Sequence, residues 1–246
     1  MIVYILVTSG VLLLLSLELG SWILLLSSLA IASLPLMGIL AGRMVLSTLR
    51  ISWLPHDHEL HRILEGIAPP RWRVRLGIRP GPPDAFAAQV GVRSGAIVLT
   101  HGMLDLLSEE ELKAVLAHEM CHLVEHHSMI RIAALALSLT NIPVGTIMGA
   151  ALSRRLEYRA DEFSVFVTGR PHHLASALVK VAATKTGNPF LVARFTPSLR
   201  GILGLFSWSP SLKSRLRRIE HVARKQSATK KVPDSDLPDD LYSGVS

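Results

Sequence analysis

Apolar residues are spread unevenly along the chain, and the unevenness divides it into regions. Residues 2–17 and 22–42 carry almost no charge, with only Glu18, Leu19, Gly20 and Ser21 between them. Each run approaches the ~17 to 25 residues a helix needs to cross a bilayer, so the pattern predicts a transmembrane hairpin over residues 1–48, with Trp22 at an interface and Pro35 bending the second span. Leu60, Ile63, Leu64 and Ile67 then recur at helical spacing and predict a short helix over 56–67, ended by Pro69 and Pro70. Alternation predicts strands at 72–76, 85–90 and 96–100, with Pro80-Gly81-Pro82-Pro83-Asp84 as a turn, and three short strands are expected to form a small antiparallel sheet.

At Ser108 the period changes. Ser108 followed by Glu111 is a capping-box start, and Leu112, Val115, Leu116, Met120 and Leu123 place one apolar stripe on a helix extending to about His127. Residues 128–152 are again apolar, interrupted at Asn141-Ile142-Pro143. A single crossing there would put the helices before and after it on opposite sides of a bilayer, and two crossings need ~40 residues, so a helical hairpin is predicted instead. A further helix runs to about Val167, a C-terminal helix to about Arg224, and residues 226–246 read as a disordered tail. The expected fold class is α+β, mostly helical.

Composition adds orientation. The segment between the two predicted spans has no Lys or Arg, whereas Arg43, Arg50, Arg62, Arg71, Arg73 and Arg75 follow the second, which places the N-terminus and the main domain in the cytoplasm of a two-span cell-membrane protein. No basic residue precedes the first apolar run and no small-residue cleavage pattern ends it, which argues against a secretory signal peptide. Cys121 is the single cysteine, allows no intrachain disulfide and fits a reducing compartment. The net charge of +7 lies in arginines close behind a span and not interleaved with stacking aromatics, so a lipid bilayer and not nucleic acid is the expected partner.

The candidate chemistry lies on the capped helix. His118 and His122 stand one turn apart on one face of it, where both imidazoles can reach one metal ion, and Glu119 can bear on a metal-bound water. That is the layout of a zinc hydrolase, although five positions alone also fit a surface helix carrying two histidines. Glu157 and Asp161 repeat the spacing of four. Glu157 can be the third protein ligand that a catalytic zinc needs, and Asp161 can accept a hydrogen bond from a ligand histidine; on spacing alone the pair equally neutralises Arg154, Arg155 and Arg159. Taken with the histidines, the metal reading is preferred. Glu125 and Ser128 stand where a metzincin needs Gly and His. His126 and His127 read as a polar helix end, Cys121 as a packing residue, and His56, His58 and His61 as a solvated face; His101, His172 and His173 receive no role.

These residues, with Asp84-Ala85-Phe86-Ala87, Leu99 to Asp105, Leu112 to His122 and Glu157-Tyr158-Arg159-Ala160-Asp161, resemble the gluzincin membrane metalloendopeptidases that include HtpX and the CAAX prenyl endopeptidases. The resemblance covers residues 80–220. It implies a zincin-like metallopeptidase domain over 49–225, one Zn2+ per chain held by His118, His122 and Glu157, Glu119 as general base and Asp161 behind a ligand. Ala85, Phe86 and Ala87 would belong to the substrate-side edge strand, and Arg215 is a candidate transition-state contact. Ser209 before Pro210 replaces the histidine common at that point, the insert between the metal motifs is shorter than a transmembrane pair, and the many spans of the prenyl endopeptidases are missing. The implied function is a membrane-anchored zinc endopeptidase cleaving membrane or misfolded proteins in quality control; the alternatives are a dedicated processing protease, or a zinc-binding membrane sensor or scaffold without turnover.

Overall fold

The computed structural model describes residues 7–11, 13–14, 22–140, 142–185 and 210–229. Its elements in chain order are α1 (Trp22–Thr48), β1 (Ser52–Trp53), α2 (Glu59–Glu65), β2 (Arg73–Arg79), β3 (Ala85–Gly91), β4 (Ser94–Thr100), α3 (His101–Leu106), α4 (Glu109–Val124), α5 (His127–Thr140), α6 (Ile142–Thr168), α7 (Pro171–Lys185) and α8 (Leu212–Thr229).

The sheet is mixed, with strand order β1-β2-β4-β3, which corrects the antiparallel expectation. β2 runs parallel to β4, while β1 and β3 are antiparallel to their neighbours. Parallel neighbours need a long crossover. Here the Pro/Gly-rich turn after β2 carries the chain past the position of β4, β3 is laid down on the far side, and the hairpin brings β4 back between them. Central β4 is therefore buried on both faces, which explains its continuous apolar run Ala96-Ile97-Val98-Leu99. β1 has two residues, too few to carry a periodic signal.

Leu76, Ile97 and Leu99 of the sheet pack on Leu112, Leu116, Met120 and Leu123 of α4 in one core. The predicted capping box is present: the Ser108 amide donates to Glu111 Oε2 at 2.8 Å and the Glu111 amide to Ser108 Oγ at 3.4 Å. α4 ends at Val124, three residues short of its predicted end, because His126 adopts a left-handed backbone (φ 55°) and turns the chain into α5. α5 and α6 are packed against each other, and α6 runs unbroken from the apolar segment through Glu157 and back onto α4. Pro143 sits in the first turn of α6, where a missing amide costs nothing.

Among the described residues one helix, α1, is long and apolar enough to cross a membrane, through its Ile31–Thr48 segment. Of the first predicted span only residues 7–11 and 13–14 are described, so the two-helix hairpin is not shown. α1 leans on β3 and α5 through its glycines: a side chain at Gly38 would meet Met129, and one at Gly42 would overlap the Gln89 carbonyl. α8 continues to Thr229, four residues into the predicted tail, and residues 230–246 of that tail lie outside the described residues, as does Ser209.

Candidate metal centre

Two turns of α4 and one of α6 meet at the floor of a cavity of about 530 Å³. His118 and His122 are both buried, because α4 is enclosed by the sheet on one side and by α6 and α7 on others. Their Nε2 atoms are 3.3 Å apart. Glu157 closes the triangle, with Oε2 at 3.5 Å from His118 Nε2 and Oε1 at 3.6 Å from His122 Nε2. A tetrahedral zinc with bonds of ~2.0 to 2.2 Å holds its donors roughly 3.3 to 3.6 Å apart, so the spacing of this donor set fits the ion. Glu119 is buried on the same wall of the cavity and joins His118 and His122 in a group of mutually close donor atoms.

The surroundings tune each group. Asp161 Oδ1 lies 3.1 Å from His118 Nδ1, and Arg215 from α8 grips that carboxylate, donating from Nε to Oδ2 at 2.8 Å and from Nη2 to Oδ1. Burial opposes charge on His118, but the Asp161 and Glu157 carboxylates outweigh it and raise its pKa to about 9. Burial and the neighbouring His118 hold His122 well below the usual histidine value. Glu157 is lowered despite burial, because both histidines and Arg215 favour its anion, whereas burial raises Glu119. The centre thus presents a carboxylate, a neutral imidazole, and a second imidazole whose proton a cation can replace.

β3 is a sheet edge, and Ala85, Phe86 and Ala87 line the same cavity as the histidines. The edge is bordered at its far end: Gly42 abuts Gln89, and Arg43 Nε donates to the Val90 carbonyl at 3.1 Å. Every residue assigned to the site from the sequence therefore lies in this cavity or directly behind it, Arg215 included.

Other assignments change. His127, read as a polar helix end, is 1% exposed and touches His122, with their Nδ1 atoms 2.6 Å apart. Arg131, to which no role was given, donates from Nη2 to Glu157 Oε1 at 2.7 Å. Neither lies on the helix that carries the motif, so no spacing along it could point to them; both come from α5 after the left-handed turn. His61 is buried instead of solvated, and His58 caps α2 by accepting from the Leu60 amide. His101, His172 and His173 do not line the cavity.

The model of peptidase family M48 matches residues 57–147 and 139–223 of this chain. A protease HtpX homolog of Pyrococcus furiosus is 30% identical over 213 residues, covering 67% of this chain and 73% of the relative. A protease HtpX homolog of Ralstonia nicotianae is 28% identical over 199 residues, covering 63% and 69%. Among solved structures, S. mikatae Ste24p shares the fold with a TM-score of 0.53 at 19% identity, covering 79% of this chain, which spans 57% of that structure's length.

Proposed function

The chain belongs to peptidase family M48, among the metalloproteases related to HtpX and the CAAX proteases, and from that premise we propose that it is a membrane-anchored zinc endopeptidase with Glu119 as its general base. The observation that carries this reading is the convergence of His118, His122 and Glu157, from two helices distant in the chain, at separations of 3.3 to 3.6 Å beside an edge strand. These three residues would hold one Zn2+, which when bound would supply Lewis acidity and lower the pKa of water toward ~7.

The chain's own residues do the rest. An extended peptide pairs with the β3 backbone along Ala85, Phe86 and Ala87, which holds its carbonyl above the histidines. Glu119 takes a proton from the attacking water and returns it to the departing amine, and its burial, by raising its pKa, suits it to both transfers. Asp161 accepts the Nδ1 hydrogen of His118 and leaves Nε2 free to ligate. Arg215 fixes Asp161, lies 3.5 Å from Glu157 and lines the cavity, which supports it as the contact for charge developing on the carbonyl oxygen.

Residues 1–48 act as the membrane anchor and 49–225 as the catalytic domain, whose last helix α8 runs on to Thr229. α1 supports the anchoring, and the arginines that follow it support a cytoplasmic active site. The cavity walls are largely apolar, with Val45, Phe86, Val115, Leu174, Leu178 and Val181, which suits unfolded or membrane-derived segments and so a role in protein quality control. The test is to purify the full chain in detergent, load it with one equivalent of Zn2+ and supply casein. Cleavage by the chain and loss of cleavage with unchanged zinc in Glu119→Gln is the expected result; zinc-loaded protein without turnover on any unfolded substrate would leave a sensor or scaffold instead.

A further inference from the structure

The two histidines of the centre are not held alike. His118 has the Asp161 carboxylate on its far nitrogen, itself held by Arg215. Among the described residues no carboxylate bonds His122 there, and its Nδ1 lies 2.6 Å from Nδ1 of His127. We propose that His127 is a positioning residue for the metal ligand His122, setting its tautomer and ring orientation through a chain that continues to Glu125 and Arg159. This rests on the reading that His118, His122 and Glu157 hold the cation.

Two imidazole nitrogens at that distance share one hydrogen. His122 Nε2 faces His118 and Glu157, so a ligand role needs its lone pair there and puts the hydrogen on Nδ1. His127 must then accept at Nδ1 and carry its own hydrogen on Nε2, which lies 3.3 Å from Glu125 Oε2. Glu125 Oε1 in turn accepts from Arg159 Nε at 2.7 Å. Every hydrogen in the chain is assigned once the first is. The result parallels the other side of the centre, a guanidinium-backed carboxylate behind each ligand, with one imidazole inserted in the second case.

The backbone is built to deliver His127 to that place. On an unbroken helix a residue five positions on is turned by about 140° and would point away from His122. The left-handed backbone at His126 folds the chain back instead, and that turn is secured by Gln89 Nε2 donating to His126 Nδ1 at 2.5 Å and by the Trp72 ring, tilted 42° to the His126 ring with centroids 5.9 Å apart. Cys121, Glu125 and His127 also lie close enough to one another to suggest a second cation site. The geometry disfavours it, because Arg159 already occupies Glu125 and His122 already occupies the His127 lone pair.

The experiment compares the full chain with His127→Leu and His127→Gln, whose amide can both accept from His122 and donate to Glu125. Zinc affinity is measured by chelator competition, the Co2+-substituted protein by visible absorption, and the metal-free protein by its thermal midpoint. Expected are one metal per chain, a ~10 to 100-fold weaker zinc affinity and an altered Co2+ spectrum in His127→Leu, and substantial recovery of both in His127→Gln. Wild-type affinity and spectrum in His127→Leu would overturn the proposal. So would equal impairment of both variants that merely tracks the loss of metal-free stability, or a second bound metal that disappears with His127. A wild-type chain that takes up no metal would instead remove the reading on which the proposal rests.

Discussion

The floor and the roof of the cavity are made from different physics. The floor is polar and charged groups holding one another: imidazoles, carboxylates and guanidinium groups from α4, α5, α6 and α8, most of them linked by hydrogen bonds. The roof is α1, which reaches the cavity with Gly38, Ala41, Gly42 and Val45 and contributes no ionisable group to its lining. It is placed by the absence of side chains, since Gly42 lets the helix touch the β3 backbone. A floor of this kind fixes chemistry within tenths of an ångström, whereas a roof of this kind fixes only who enters. Substitutions in the two regions should therefore move different measurements.

The largest effect is expected on the floor. Glu157→Ala removes a metal donor outright and takes from Arg131 and Arg215 the carboxylate they share. Zinc affinity should fall by more than the ~10 to 100-fold that loss of an outer partner costs, with cleavage lost in parallel. Equilibrium dialysis against zinc checks it. Unchanged zinc content in this variant would remove Glu157 from the ligand set.

Much of the floor was legible in the sequence, and little of the roof. The capping box and apolar stripe of α4 are local signals, and they placed His118, Glu119 and His122 correctly on one helix. Glu157 and Asp161 could be found because they repeat the same one-turn spacing on α6. His127 and Arg131 could not, since their approach depends on a left-handed histidine, a residue that carries no mark of that conformation. The parallel pairing of β2 with β4 was hidden for a related reason: strand order depends on which side of β4 the chain passes, and a period of two says nothing about sides. For α1, hydropathy marks a membrane segment but is silent on docking, and only the spacing of Gly38 and Gly42 hints at the contacts with Met129 and Gln89.

The roof can be lifted without touching the floor. In Gly42→Ala the added methyl would overlap the Gln89 carbonyl, so α1 must shift away from β3 at a cost of ~1 to 3 kcal/mol in packing. The wall beside the substrate strand then recedes. KM for casein is expected to rise up to about tenfold with little change in kcat and none in zinc affinity. Steady-state kinetics beside a zinc assay separates the terms; a fall in zinc affinity would mean that roof and floor are one unit.

The smallest effect concerns the base of α4, away from both. Glu111 is buried and closes the capping box, and it also accepts from Ser176 Oγ at 2.6 Å and from Lys180 Nζ at 2.7 Å on α7. Burial alone would raise its pKa, but the hydrogen bonds from Lys180, Ser176 and the Ser108 amide prevail and lower it from 4.5 to about 2. A carboxyl whose pKa is lower folded than unfolded contributes stability that is full above about 4.5 and is lost as the pH falls through 2. Lys180 is partly exposed, so solvent screening reduces the contribution to on the order of 1 to 2 kcal/mol. Glu111→Gln should therefore lower the thermal midpoint by a few degrees at pH 7, with the gap to wild type closing between pH 4.5 and pH 2. A gap that stayed constant across that window would mean that the Glu111 charge contributes nothing and that its role is confined to the neutral hydrogen bonds of the cap.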